Sequence, residues 1–279
     1  MIVGFIGQGY VGKNLADNFE SRGYAVVRYA LEEEYKGNKD KIKNCDIVFV
    51  AVPTPTTPQG FDDSIVRHVL SFIAPGATVV IKSTVVPGTS AEIQKEYPEL
   101  VVLFSPEFLS EVTAQEDTAS PFSSIIGVTV DDETHHQAAE KVLSILPQSS
   151  FSCVCSSIEA ELIKYAHNVH GFVQVVLWNL FYDLAVREGV VWENIHQALR
   201  HDPFVAPYYH TNPVHKGGRG AGGSCFIKDF AAFRAYYEKM LPDEHGQILL
   251  KALEQKNINL LTESGKDVSL LKKVYGESK

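Results

Sequence analysis

Ile2-Val3-Gly4-Phe5-Ile6-Gly7-Gln8-Gly9-Tyr10-Val11-Gly12 is an apolar run that breaks into three glycines spaced by one and then two residues. The run predicts a first strand, and the residues from Gly12 to Ser21 carry a helical pattern. In a strand–turn–helix, Gly7 allows the tight turn, Gly9 lets the backbone approach a pyrophosphate, and Gly12 lets helix and strand pack closely. Tyr10 and Val11 then stand at the helix N-terminus, where unpaired N–H groups and the helix dipole favour an anion. The segment predicts a dinucleotide site. Ala30 falls where an acidic residue normally grips the adenosine ribose, with Glu32 just beyond it. No arginine follows Ala30 to hold a 2′-phosphate, so NAD is expected over NADP.

The same alternation continues outward. Ala25 to Tyr29, Ile47 to Val52, Thr78 to Lys82, Val101 to Phe104, Ser124 to Val128 and Phe151 to Cys155 read as strands, with helical patterns between several of them, such as Ser64 to Phe72. This predicts an α/β fold whose N-terminal Rossmann domain, residues 1–155, is a doubly wound parallel sheet. Ser157 to Glu188 then runs without proline and with Gly171 as its one glycine. Leu162, Tyr165, Ala166, Val169, Val173, Val176, Leu177, Leu180 and Leu184 recur at steps of three and four, a stripe on a helix of about 45 Å. A helical domain over residues 156–279 with this long central helix is expected, and a rod so apolar predicts a homodimer through it. A shorter helix at Trp192 to Leu199, an irregular stretch from His201 to Ser224 holding five glycines, and helices at Lys228 to Lys239 and Asp243 to Glu254 complete the reading.

The 279 residues are 45% hydrophobic and carry a net charge of −9, which fits a globular chain and argues against nucleic acid or anionic lipid as a partner. No run approaches the roughly 18 consecutive apolar residues of a membrane span. The N-terminus lacks the basic region of a signal peptide, and four cysteines are too sparse for a disulfide framework, so a cytoplasmic location is expected. Cys153 and Cys155 alternate on one face of a strand and read as core thiols. No metal site is expected.

Five further motifs occur in order: Val52-Pro53-Thr54-Pro55-Thr56, Ser83-Thr84-Val85-Val86-Pro87-Gly88-Thr89, Ser105-Pro106-Glu107-Phe108-Leu109-Ser110-Glu111, Glu159 to Asn168, and Gly222-Gly223-Ser224-Cys225-Phe226-Ile227-Lys228-Asp229. Together they resemble the UDP-glucose/GDP-mannose dehydrogenase family, from Met1 to about Asp229. The resemblance implies a twofold oxidation of a nucleotide sugar's C6 alcohol to the carboxylate, of the UDP-glucose to UDP-glucuronate type, with two NAD+ and one water. It implies Cys225 as a nucleophile forming a thiohemiacetal and then a thioester, with Asp229 and Thr84 acting on the hydrolytic water. Lys164 stabilises charge on the C6 oxygen, Asn168 positions that oxygen, and Glu111 acts on water or a proton. Glu107 and Phe108 lie against the sugar, while Thr54, Thr84 and Lys228 line the cofactor. The residue spacing is compatible with this, since Lys164 and Asn168, and likewise Cys225 and Asp229, are one helical turn apart.

Taken singly, a cysteine in a glycine loop is usually a small side chain, a lysine and an asparagine on a helix are usually solvated, and Glu107 after Pro106 serves as a helix cap; their order gives them weight. The chain departs from the family pattern at Val112 (for glycine), Phe204 (for arginine) and Ile227 (for proline). The family's C-terminal nucleotide-sugar-binding domain is expected to be absent, with Arg219 and Gly222 contributing to substrate binding instead. Two other readings stay open. A β-hydroxyacid dehydrogenase shares the Lys-x3-Asn helix but needs no cysteine, and an NAD- or nucleotide-binding subunit would lack activity of its own.

Overall fold

The computed structural model describes residues 1–202, 205 and 212–276. Phe204 lies outside the described residues. The chain divides into two units, Met1–Thr54 with Asp62–Lys164, and Pro55–Phe61 with Tyr165–Lys279.

The first unit is a seven-stranded sheet. Its strands are β1 (Ile2–Ile6), β2 (Ala25–Tyr29), β3 (Ile47–Val50), β6 (Thr78–Ile81), β7 (Val101–Phe104), β8 (Ser124–Val128) and β9 (Ser152–Ser156), in the order β2-β1-β3-β6-β7-β8-β9. The missing numbers, β4 (Thr56–Thr57) and β5 (Gly60–Phe61), form a hairpin in the second unit. β1, β2, β3, β6 and β7 pair in parallel, as expected of a Rossmann sheet. β8 runs antiparallel to β7, through Leu103↔Val128 and Phe104↔Gly127, and β9 then pairs parallel to β8. The sheet is thus the expected doubly wound parallel one with a single antiparallel pair, β7–β8. The strands β3 and β8 are buried at every residue, which is why they read as unbroken apolar runs. Phe5 stacks on Phe49 at 5.2 Å and meets Phe19 of helix α1 (Tyr10–Ser21) edge-on at 5.4 Å, so α1 is anchored to the strand that precedes it. Each such ring contributes roughly 1.5–3 kcal/mol by burial.

The long helix, Ser157–Arg187, belongs to the first unit through Lys164 and to the second from Tyr165. A side chain at Gly127 would press on Ser157 and Ala160, so glycine in β8 lets the start of this helix lie against the sheet. By length and composition the helix is apolar enough to cross a membrane, with a mean hydropathy of 1.3 over its best window. Within the second unit, however, its Phe172 stacks on Phe230 at 3.8 Å, and Phe172, Val175 and Val176 form a buried cluster with Ala221 and Leu250.

The second unit adds helices at Trp192–Arg200, Gly223–Met240, Glu244–Ser264 and Val268–Tyr275, with the hairpin strands Val214–His215 and Gly218–Arg219. The helix Gly223–Met240 begins five residues before the expected Lys228, which sets Cys225 within its first turn. The helix Glu244–Ser264 extends ten residues past the expected Glu254, because Asn257, Ile258, Leu260 and Leu261 keep burying the same face.

Candidate functional site

In the first unit the glycine turn is built for an anion. Gly7 has φ +92°, and its N–H donates to Tyr29 O at 2.8 Å. A side chain on Gly7 would collide with the Ala51 carbonyl, and one on Gly12 with the carbonyl of Gly7. Over Gly9 nothing stands within 4 Å. Helix α1 starts there with no side-chain cap and no acidic residue in its first turn, so its positive end is open. A pyrophosphate fits that opening. At the end of β2, Ala30 is buried and Glu32 is exposed. Arg28, two residues before Ala30, pairs with Asp17 and Glu20, each at 2.7 Å, so its donors are committed within the protein. That leaves no arginine at this strand end for a 2′-phosphate.

The segments after β3 and β6 are tied to each other. Ser83 Oγ accepts from Val52 N at 2.9 Å, and Thr54 Oγ1 donates to Thr84 O at 2.7 Å. Thr54 is buried and Thr84 half-buried. Behind them, Glu161 of the long helix accepts from Gly88 N at 2.6 Å and Ser90 N at 2.9 Å, capping the helix Thr89–Glu96. Burial pushes this carboxyl above the usual glutamate range despite those bonds. One turn further, Lys164 Nζ donates to Glu107 O at 2.6 Å and lies 5.4 Å from the Phe108 ring. The Glu107 carboxylate is itself held, with Oε2 at 3.0 Å from Lys82 Nζ. Lys82, whose side chain is 4% exposed, also donates to Ser105 Oγ at 3.0 Å. Glu111 stands exposed on the turn after Ser110, beside the exposed Val112. The structure thus joins Glu107, Phe108 and Lys164. Sequence reasoning assigned no role to Lys82 or Glu161; the available signal was a charged residue at the end of one apolar strand and another in an apolar helix.

In the second unit, Asp229 is 2% exposed. A buried carboxylate needs partners. Asn168 Nδ2 donates to its Oδ2 at 2.6 Å, and Lys228 Nζ to its Oδ1 at 2.6 Å. The Lys228 carbonyl accepts from Thr56 Oγ1 at 3.0 Å, which ties the β4–β5 hairpin to the helix. Cys225 is half-buried one turn before Asp229. Arg219 donates to Asn179 Oδ1 at 2.9 Å and Asp183 Oδ1 at 2.6 Å, and its guanidinium lies 5.2 Å from the Tyr182 ring. Among the described residues no group of three or more His, Cys, Asp or Glu side chains is arranged to hold a metal. In β9, burial pushes the Cys155 thiol up to about 12.

Comparison with known proteins places both units. Residues 29–146 match the NAD-binding domain of the UDP-glucose/GDP-mannose dehydrogenase family, and residues 158–258 match that family's central domain. The first unit is an NAD-binding domain. Similar proteins include the UDP-glucose 6-dehydrogenase AglM of Haloferax volcanii, 27% identical over 84% of this chain and 65% of its own length. A UDP-glucose 6-dehydrogenase of Rickettsia prowazekii is 26% identical over 82% of this chain and 54% of its own. This chain therefore spans between half and two-thirds of these relatives. Among solved structures, a UDP-glucose dehydrogenase from Pyrobaculum islandicum is 27% identical with a TM-score of 0.76, covering 94% of this chain and 70% of its own. A 3-hydroxyisobutyrate dehydrogenase of Mycobacterium tuberculosis shares the fold across 98% of both chains, with a TM-score of 0.71 at 16% identity.

Proposed function

We propose, from the premise that the chain belongs to the UDP-glucose/GDP-mannose dehydrogenase family, that it oxidises the C6 alcohol of a nucleotide sugar to the carboxylate, as in the conversion of UDP-glucose to UDP-glucuronate. The observation that carries this reading is one turn of one helix. A half-buried thiol, Cys225, precedes a buried carboxylate, Asp229, that Asn168 and Lys228 hold in place. A hydroxyacid oxidation has no use for that thiol; a two-step oxidation needs it.

Gly7, Gly9 and Gly12 would hold the NAD pyrophosphate at the open end of α1, and by the family resemblance Thr54, Thr84 and Lys228 would line the rest of the cofactor. NAD+ would supply the oxidising power at this site, two molecules in succession each accepting one hydride. Lys164 offsets the negative charge that develops on the C6 oxygen, and Asn168 orients that oxygen. Cys225 adds to the aldehyde carbon, giving a thiohemiacetal whose oxidation leaves a thioester. Water, oriented by Asp229 and Thr84 and relieved of a proton by Glu111, attacks the thioester carbon; the C–S bond breaks and the thiol returns. Glu107 and Phe108 lie against the sugar, and Arg219 and Gly222 contribute to holding the substrate.

The test is NADH formation with UDP-glucose, UDP-N-acetyl sugars and GDP-mannose, for the wild type and Cys225→Ser. Two NADH per sugar are expected from the wild type, with the second oxidation lost in the variant. A variant with unaltered turnover supports the β-hydroxyacid dehydrogenase reading, for which the shared fold of the 3-hydroxyisobutyrate enzyme is the specific observation. No NADH from any nucleotide sugar, with NAD still bound, supports an inactive NAD-binding subunit.

The protein acts in the cytoplasm as a homodimer in this reading. Leu177, Leu180, Phe181 and Leu184 are 42–60% exposed along the far half of the long helix, followed by the exposed Val190 and Val191. An apolar strip of this kind marks a protein–protein surface. Sedimentation as a strict monomer at working concentration would remove the dimer.

A further inference from the structure

The five glycines between Gly217 and Gly223 invite the reading that they let the chain approach a substrate. In the second unit three of them, Gly218, Gly220 and Gly222, meet the chain itself. A side chain on Gly222 would collide with the Asp267 carboxylate, and one on Gly218 would stand 2.6 Å from Lys266 Cβ and 2.9 Å from Ser264 Oγ. The turn between the helices Glu244–Ser264 and Val268–Tyr275 lies directly on the loop and bonds its backbone in succession. Ser264 Oγ accepts from Arg219 N at 2.9 Å, Lys266 Nζ donates to Gly220 O at 2.9 Å, and Asp267 Oδ2 accepts from Gly223 N at 2.8 Å. Two turns before Ser264, Asn257 grips Ala221 at both N–H and C=O, at 2.7 and 3.0 Å.

We propose that this turn, acting through Asp267 and seconded by Lys266, is the positioning element for Cys225. Gly223 opens the helix that carries Cys225 two residues later, and that helix has no other side-chain cap at its Gly222 N-cap. The Asp267 carboxylate fills the place of the missing cap from 44 residues away. Asp267 does so from φ +54°, a left-handed conformation that a glycine would adopt with less strain. The match to the family's central domain ends at residue 258, so Lys266 and Asp267 lie beyond it. The inference takes Cys225 as the reacting thiol and in that respect rests on the function proposed above.

The full chain is tested with Asp267→Ala, Asp267→Asn, Gly222→Ala and the double variant Gly222→Ala/Asp267→Ala. Three readouts are followed: amide exchange over residues 219–225, carbamidomethylation of Cys225 by iodoacetamide, and kcat and KM with UDP-glucose. Losing a hydrogen bond to a carboxylate should speed exchange at Gly223 by about tenfold. The frayed turn should expose the thiol to faster alkylation, and kcat should fall while KM holds. Asp267→Asn keeps an acceptor oxygen and should restore all three. In exchange and alkylation, Gly222→Ala should mimic Asp267→Ala by displacing the carboxylate, and the double variant should be no worse than either single one in those two readouts. The proposal is overturned if Asp267→Ala leaves exchange and alkylation at wild-type rates, if Asn is as impaired as Ala, or if Gly222→Ala raises only KM. Should Asp267→Ala not fold, Gly222→Ala and Asp267→Asn decide it in the same terms. A wild type that makes no NADH sinks the proposed function, while exchange and alkylation still decide the role of Asp267.

Discussion

Gly7–Gly12 in the first unit and Gly217–Gly223 in the second are both glycine-rich turns that lead into a helix, but they differ in what stands over the missing side chains. At Gly7 and Gly12 the neighbour is backbone, the carbonyls of Ala51 and of Gly7 itself, while over Gly9 the space is empty. At Gly218 and Gly222 the neighbours are the side chains of Ser264, Lys266 and Asp267. The first loop uses two glycines for packing and leaves the space over the third open. In the second loop these two glycines make room for another part of the same chain. Glycine spacing alone does not separate these uses; the atom opposite the absent Cβ does.

Three alanine substitutions sharpen the contrast. Gly12→Ala should be the most damaging, because a backbone oxygen cannot rotate out of the way. A cost of about 2–3 kcal/mol in urea unfolding is expected, together with loss of NAD binding by calorimetry. Gly218→Ala should cost less, about 1–2 kcal/mol, since Lys266 and Ser264 can give a little, and NAD affinity should stay at the wild-type value. Gly9→Ala should cost about 1 kcal/mol or less in stability, the difference between Gly and Ala at an N-cap, yet weaken NAD binding. If Gly9→Ala binds NAD normally, the open space over Gly9 is not the pyrophosphate site.

What was legible in the sequence follows the same division between local and distant causes. The ends of Ile2–Ile6, Ala25–Tyr29, Val101–Phe104 and Ser124–Val128 were readable because short, mainly apolar runs stop abruptly at turn residues. The reversal of β8 was not. Alternating strands and helices specify a direction only when a full crossover helix joins them, and residues 105–123 carry only the six-residue helix Ala114–Ala119. The motif residues Lys164, Asn168, Cys225 and Asp229 were legible as an ordered set, and Asn168 does meet Asp229. Lys82 and Asp267 were not, since each is a common charged residue whose partner lies 25 or 44 residues away. No pattern over a short window encodes such a pair.

The two ends of the long helix offer the subtlest test, because each carries a carboxylate shifted in the opposite sense. In the first unit, burial raises Glu161 above the ordinary glutamate value of 4.5, against the bonds from Ser90 and Gly88. The folded state then holds its proton more tightly than the unfolded state, so the Glu161 contribution is greatest below that value and declines as pH rises through the folded pKa. In the second unit, burial would raise Asp183, but the bonds from Lys256 and Arg219 prevail and hold it below the ordinary aspartate value of 3.8. Its contribution is complete above that value and is lost as pH falls. Urea unfolding from about pH 3 to about pH 7 should therefore show the wild-type advantage over Glu161→Gln shrinking with rising pH, and that over Asp183→Asn growing. Neither slope can exceed about 1.4 kcal/mol per pH unit for a single proton. The Asp183 slope should be the shallower, since its side chain is 41% exposed and solvent screens its pairs. Slopes of the same sign would mean that Glu161 is held by its two amide donors as a stabilised anion, and that burial does not govern its charge.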